Sequence, residues 1–391
     1  MNSQKLFHDF IRTYDDESNH MEDVFSFLDR SSRPAAERVR NVLNKWYDNY
    51  PDKYKSVLYK NIRAKKFPDT FFELFLHELL LSFNYKIEIH PTAPSNKSTH
   101  PDFRGEDNLG RSVFLEGTLV TDESDEEKAR NKVQSLLYDQ INQLELPDYF
   151  INLHRIYIPR GGQPSGKKLK QFILNCYRNL NYESVLTLME NNASHLIPRL
   201  TYKENELEID FNFIPVAKEY RERTNHKPIG IYPGGTKLGN FGETLRTKIT
   251  KKANKYGKLN SPFIIAVNCL GWGIHKRDEI HALFGIDGID SLNSSNEIQL
   301  DENINGAWYG SNGPRNKRVS GVIFTKVYPW NLAKADITFY HNPWATYPYE
   351  GQLTKFPQMI FSDNKFKSIP GITFGEALSL DFDWPGELFD Y

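Results

Sequence analysis

Hydrophobic positions along the chain change period repeatedly, and each change marks an element. In ERVRNVLNKWYDNYP, starting at Glu37, Val39, Val42, Leu43 and Trp46 share one helical face. Residues 1–66 as a whole read as a polar, helical extension whose apolar stripe packs on a core. A break at Lys65-Lys66-Phe67-Pro68-Asp69 leads into FFELFLHELLLSFNY, where Phe72, Leu76, Leu79, Leu80 and Phe83 recur at helical spacing. That spacing predicts a buried helix bearing Glu73, His77 and Glu78. The period then shortens to two: KIEIHP predicts a strand, and SVFLEGTLV predicts another beyond Pro101-Asp102-Phe103 and a turn around Asn108 to Gly110. Alternation puts Phe114, Glu116 and Thr118 on one face and Val113, Leu115, Gly117 and Leu119 on the other, so Glu116 need not point into the core.

After Val120 helices and strands alternate, the pattern of an α/β sheet covered on its faces. Asp122 to Glu127 open a helix with a Ser124/Glu127 capping box, and its apolar stripe runs through Ala129, Val133, Leu137, Ile141 and Leu144. FINLHRIYIP and ELEIDFNFIPVA predict strands on either side of a basic helix, KKLKQFILNCYRNL, and a helical or irregular piece; GGQPSG and GIYPGG read as turns. A helix over about 242–256 carries Leu245, Ile249, Ala253 and Tyr256 on one face, with Arg246, Lys248, Lys251, Lys252, Lys255 and nearby Lys258 around the rest. PFIIAVN and RVSGVIFTKV are nearly continuous apolar runs, as interior strands require. DEIHALFG predicts a short helix ending at Gly285, Ser291 to Asn305 a loop, and the Pro-, Tyr- and Trp-rich end from Pro343 a segment wrapping the surface.

Composition narrows the classes. The chain has 391 residues, 39% hydrophobic and 14% aromatic, enough for a substantial core. With 49 basic and 50 acidic residues, bulk charge does not argue for nucleic acid, and such binding must rest on a local basic face. The 242–258 segment is one such face, and Arg315, Lys317 and Arg318 form another. Cys176 and Cys269 are too few for a disulfide scaffold or a cysteine-rich metal centre, and they suit a reducing cytosol. The opening residues lack the apolar stretch of a signal peptide, and no run approaches the length of a membrane span; a cytoplasmic location without membrane contact is expected. His275, His281 and His341 do not have metal-ligand spacing and are expected to be structural.

Glu73 on a helix, Pro101-Asp102 ahead of a strand, and Glu116-Gly117-Thr118 within an apolar strand resemble the signature of the PD-(D/E)xK, restriction-endonuclease-like nucleases. The resemblance covers Phe71 to Leu144, and PFIIAVN, ALFG, NKRVSGVIF and YHNPWA are similar to segments of bacterial proteins carrying the same core. It implies an α/β fold with a restriction-endonuclease-like mixed sheet flanked by helices. The implied domains are a helical N-terminal extension over 1–66, a nuclease domain over 67–345 and a C-terminal wrapping segment over 346–391. The implied activity is metal-dependent hydrolysis of phosphodiester bonds, with DNA a more natural substrate than RNA, in bacterial host defence or DNA processing. Asp102, Glu116 and the Gly117 carbonyl would hold Mg²⁺ or Mn²⁺, and Glu73, with Glu78 in reserve, would complete the shell. The chain departs from the signature at Thr118, where the lysine stands. Lys128 or Lys132 on the next helix is expected to replace it, Lys132 being the catalytic choice; Gln134 and Tyr138 there also fit a Q-x-x-x-Y pattern of some branches. The alternative is a nucleic-acid-binding or interaction module that keeps the fold and has lost cleavage.

Overall fold

A computed structural model describes residues 5–386 apart from 65, 93–98, 122–124, 160–163, 206, 222–226, 233–240, 272 and 287–303. It resolves into two compact units: Met1–Asp16, Asp23–Asp122 and Gly239–Tyr391 form the first, and Glu17–Glu22 with Glu123–Leu238 form the second. Where the sequence suggests one domain over 67–345, a second unit with its own core is inserted in the chain after Val120.

The first unit begins with α1 (Val24–Arg30), α2 (Pro34–Asn49), α3 (Asp52–Ile62) and α4 (Phe67–Ser82). The α2 stripe is buried as expected at Val39, Leu43 and Trp46. On the same helix Arg40 is buried too, because its guanidinium donates to the Leu28 and Ser31 carbonyls at 2.6 and 2.7 Å and so closes the end of α1. Burial lowers the Arg40 pKa to about 10, which leaves it charged. Pro68 starts α4 without costing a hydrogen bond, so the helix opens earlier than its apolar run. It is apolar nearly all round because it is sandwiched: α2 and α3 contact it from one side, and β3 (Ser112–Val120) from the other.

Ahead of β3 come β1 (Lys86–Ile89) and β2 (Phe103–Glu106), which pair as an antiparallel meander. After the inserted unit, which begins with α5 (Asp125–Asn142), the first unit resumes at α8 (Phe241–Ala253). It continues through β8 (Phe263–Cys269), α9 (Lys276–Phe284), the short pair β9 (Tyr309–Gly310) and β10 (Gly313–Pro314), β11 (Gly321–Thr325) and β12 (Ile337–His341). The sheet order is β1-β2-β3-β8-β11-β12 and then two C-terminal strands, with β3, β8 and β11 parallel in its middle. Every residue of β8 is buried, as its unbroken apolar run requires. Val113, Leu115, Ile264 and Ala266 pack on the α4 side, and Phe114, Ile265 and Val267 join the α8 and α9 core. The fold is therefore a mixed α/β sheet flanked by helices and preceded by N-terminal helices.

The end of the chain does more than wrap. It supplies β13 (Gln358–Ser362), β14 (Lys365–Ile369) and α10 (Phe374–Leu378). β13 runs parallel to β12, and β14 closes the sheet antiparallel to it. Each strand has five residues, too few for alternation to stand out, and exposed Lys365 and Lys367 guard the open edge.

The second unit sets β5 (Leu200–Glu204), β6 (Leu207–Pro215), β4 (Tyr149–Tyr157) and β7 (Ile229–Ile231) side by side in that order. Its helices are α5, α6 (Gly166–Arg178) and α7 (Tyr182–Glu190), and Leu137, Ile141, Leu169, Ile173 and Val185 bury its core with Ile151, Ile209 and Phe211. Gly230, read as the start of a turn, sits in β7, close against the Phe150 side chain on β4. The Ser124/Glu127 cap and most of the Ser291–Asn305 loop lie outside the described residues or side chains. Among the described residues no helix is long and apolar enough to cross a membrane.

Candidate functional site

Glu116 stands in the middle of β3, between β2 and β8, and is 0% exposed. The expected alternation holds, since residues 114 and 120 lie on the α8 face and 113 and 115 on the α4 face. Because helices cover both faces, either side of β3 is interior, and Glu116 does point into the core. A buried carboxylate needs charge and hydrogen-bond partners. Here Oε1 accepts from Lys252 Nζ at 2.5 Å and from Lys255 Nζ at 3.0 Å. Oε2 accepts from the Tyr256 hydroxyl and from the Asp102 backbone N–H at 3.2 Å. Lys252 lies in the last turn of α8, and Lys255 and Tyr256 lie just beyond it. Burial and the Glu116 charge hold the Tyr256 phenol well above its ordinary pKa, so it acts as a donor.

Asp102 lies opposite Glu116 at the entry to β2, and its Oδ2 accepts from the Gly117 N–H at 2.7 Å. Burial, then the Glu116 charge, raises its pKa from 3.8 to about 7; Gly117 and Lys252 pull it down, and Glu73 adds to the rise. A carboxyl whose pKa is raised by folding binds its proton more tightly in the folded chain. Its ionisation therefore costs stability progressively between the unfolded value of 3.8 and about 7, and the cost is fully present above. Asp102→Asn, which keeps an oxygen for the Gly117 N–H, is expected to be more stable than the wild type at pH 8, with the gain shrinking toward pH 4. Urea unfolding at both pH values measures it, and a pH-independent difference would count against the raised pKa.

Gly117 fits here because a Cβ would lie 3.0 Å from a Leu76 methyl, 3.4 Å from Asp102 Oδ2 and 3.5 Å from Phe72. Gly117→Val is expected to cost about 1–3 kcal/mol by overpacking α4 on β3, measurable by urea unfolding; an unchanged midpoint would show that α4 yields freely.

Glu73 is half-exposed on α4, and its Oε1 accepts from the Tyr50 hydroxyl at 2.7 Å. Glu78 is tied elsewhere: both its oxygens accept from Asn49 Nδ2 at 3.1 Å, and burial raises its pKa. Glu73, not Glu78, is thus the helix carboxylate whose charge reaches Asp102. His77, one turn past Glu73, is buried between the Tyr50 and Phe103 rings, and burial drops its pKa to about 4, so it is neutral at physiological pH.

The lysines that reach Glu116 within the first unit are Lys252 and Lys255. Lys132 is exposed on α5 in the second unit, and the Lys128 side chain lies outside the description. Gln134 and Tyr138 hydrogen-bond to each other, and Tyr138 packs against the His20 and Tyr232 rings, a structural contact. The basic face of α8 divides: Lys252 and Lys255 turn in to Glu116, Arg246 pairs with Glu243, and Lys248, Lys251 and the following Lys258 are exposed. In the second patch Arg315 folds back onto the Gly306 carbonyl and Asn305, Arg318 donates to the Gly257 carbonyl at 3.4 Å, and Lys317 is exposed. His275 caps α9 and His341 contacts Gln358 at 2.8 Å, in keeping with structural roles.

Among the described residues no three His, Cys, Asp or Glu side chains are grouped to hold a metal ion. The donor chemistry still suits a hard cation: Mg²⁺ needs only one or two carboxylates and takes its other ligands from water and phosphate. Asp102 and Glu116 are adjacent carboxylates, the Asp102 N–H donating to Glu116, and burial first and the Glu116 charge second raise the Asp102 pKa. Comparison of the chain with protein-family models, curated proteins and solved structures finds no match.

Proposed function

We propose that the first unit is a divalent-metal-dependent phosphodiesterase acting on nucleic acid, DNA before RNA. The observation that carries this reading is Glu116: a fully buried carboxylate beside Asp102, met by two lysines. Such a constellation adds little to stability compared with apolar packing, and strongly shifted pKa values concentrate at functional sites. It also occupies the positions of the PD-(D/E)xK resemblance, with Glu73 on a helix, Asp102 ahead of a strand and Glu116 within one. A restriction-endonuclease-like arrangement is then the finer reading of the mixed sheet, and a role in host defence or DNA processing follows from the resemblance alone.

In this reading Asp102 and Glu116, with the Gly117 carbonyl, hold Mg²⁺ or Mn²⁺. An ion held there would supply a coordinated water of lowered pKa and positive charge to offset that on the phosphoryl oxygens. Lys252 and Lys255 take the place that Thr118 leaves empty and offer N–H donors to a phosphate oxygen. Tyr256 keeps Glu116 oriented, and exposed Lys248, Lys251 and Lys258 bind flanking phosphates.

One observation favours the alternative, a binding module without cleavage: both Glu116 oxygens already accept from donors of the chain itself. Supercoiled DNA, linear DNA and single-stranded RNA incubated with Mg²⁺, Mn²⁺ or EDTA separate the two. Cuts that need the metal are the expected result. Salt-sensitive binding without cuts would replace the enzyme by the binding module, and neither cuts nor binding would overturn both.

A further inference from the structure

A cavity of about 310 Å³ opens beside the starts of β3 and β8, within the size range of small-molecule sites. Tyr85, Asp107, Val113 and Tyr349 are its buried lining, and Arg111, Asn260 and Tyr347 are exposed at its mouth. The Tyr85 and Tyr349 hydroxyls lie 2.8 Å apart, and they accept from the Gln352 and Leu353 N–H groups at 3.1 Å each. Glycines make room for both rings: a Cβ on Gly105 would lie 3.0 Å from the Tyr85 ring, and one on Gly351 would lie 2.5 Å from the Tyr349 hydroxyl. The two phenols carry two hydrogens. One is taken by the bond between them, whichever oxygen donates it, and the backbone N–H groups use only oxygen lone pairs. The second hydrogen has no acceptor among the described residues, although Tyr85 is 3% and Tyr349 5% exposed. Burial first, and Tyr85 second, hold the Tyr349 phenol well above its ordinary pKa, so it stays a donor.

The buried charge of the cavity is already matched. Asp107 Oδ2 accepts from Arg111 Nε and Nη2 at 2.8 Å each, and Oδ1 accepts from the Leu109 and Arg111 N–H groups at 2.9 Å each. That carboxylate is filled from its own turn, while Arg111 Nη1 has no protein partner among the described residues and is a further donor. Exposed Glu350 at the rim disfavours an anionic ligand. Val113, Pro262 and Pro348 add apolar surface, and Tyr347 adds a ring. Spare donors beside apolar walls fit a flat, uncharged ring that carries a carbonyl oxygen; water would satisfy the donors and gain nothing from the walls. We propose that the cavity binds such a ring, of the oxopurine or uracil class. No metal ion and no cleavage step is needed for it, so it stands apart from the metal-dependent reading.

Inosine and adenosine serve as probes, because inosine has a carbonyl where adenosine has an amine. Calorimetric titration of the full chain is expected to show saturable inosine binding, about tenfold tighter than adenosine, as one hydrogen bond allows. Tyr85→Phe combined with Tyr349→Phe removes both hydrogens. It is expected to bring inosine down to the affinity of adenosine, a loss of discrimination that altered packing alone would not produce. The double change also strips the Gln352 and Leu353 N–H groups of their acceptors, so Ser261→Trp is made alongside it as a variant that leaves the phenols intact. Ser261 is a half-exposed lining residue, and its replacement is expected to fill the cavity and abolish inosine binding with a thermal midpoint close to that of the wild type. A wild type without saturable inosine binding, equal affinity for the two nucleosides, discrimination that survives the double change, or inosine binding untouched by Ser261→Trp would each overturn the proposal.

Discussion

Asp102→Ala and Glu116→Ala are each expected to lower metal-dependent cleavage by on the order of a thousandfold or more, while salt-sensitive binding of nucleic acid persists. The two carboxylates are linked through the backbone, the Asp102 N–H donating to Glu116 and the Gly117 N–H to Asp102. Removing either takes away charge that the proposed cation requires. Binding survives because the exposed lysines of α8 do not depend on the carboxylates. Glu116→Ala also strands Lys252 and Lys255, whose side chains are 24% and 36% exposed and can turn to water, so the fold is expected to tolerate the change. Cleavage gels and filter binding over a salt series measure the split. Lys252→Ala is expected to lower the rate as well; an unchanged rate would leave Lys132 as the source of the missing lysine.

Phe75→Ala is expected to destabilise the first unit by about 3–5 kcal/mol. Phe75 is 0% exposed on α4, and its ring meets Trp46 of α2 at 6.1 Å, Phe72 at 6.0 Å and Phe374 of α10 at 4.9 Å. One side chain thus joins the N-terminal helices, the helix that bears Glu73 and the C-terminal end of the chain. Truncation leaves a cavity lined by rings that belong to three separate stretches and cannot all collapse into it. Urea unfolding followed by tryptophan fluorescence reads the loss as a lower midpoint. A drop below about 1 kcal/mol would mean that the three stretches are held together elsewhere.

The carboxylates of the site were legible in the sequence because they sit in locally patterned elements. The 3.6-residue period of α4 placed Glu73, and the strand pattern around SVFLEGTLV placed Glu116. Their cationic partners were not legible, because they arrive through tertiary pairing. Lys252 is 136 residues from Glu116, and only the parallel pairing of β3 with β8 brings the helix ahead of β8 over that strand. The inserted unit hid this, since it made α5 the nearest helix in sequence. A usable signal was present: Lys252, Lys255 and Tyr256 share one side at helical spacing, with the apolar run of β8 close behind. The C-terminal hairpin also left a trace. Asp363 and Asn364 both have positive φ, 51° and 55°, the conformation of a two-residue hairpin turn, and Asp and Asn tolerate it better than most residues. Tyr50 left none, because an aromatic residue after a helix reads as packing until its hydroxyl is seen on Glu73.

The site is most directly tested by Mn²⁺ titration of the wild type and of Asp102→Ala at pH 8, read by calorimetry. If Asp102 and Glu116 hold a divalent ion, the wild type binds Mn²⁺ at pH 8, where Asp102 is largely ionised, and Asp102→Ala loses that binding. Equal Mn²⁺ uptake by both, or none by the wild type, would contradict a metal centre at these carboxylates.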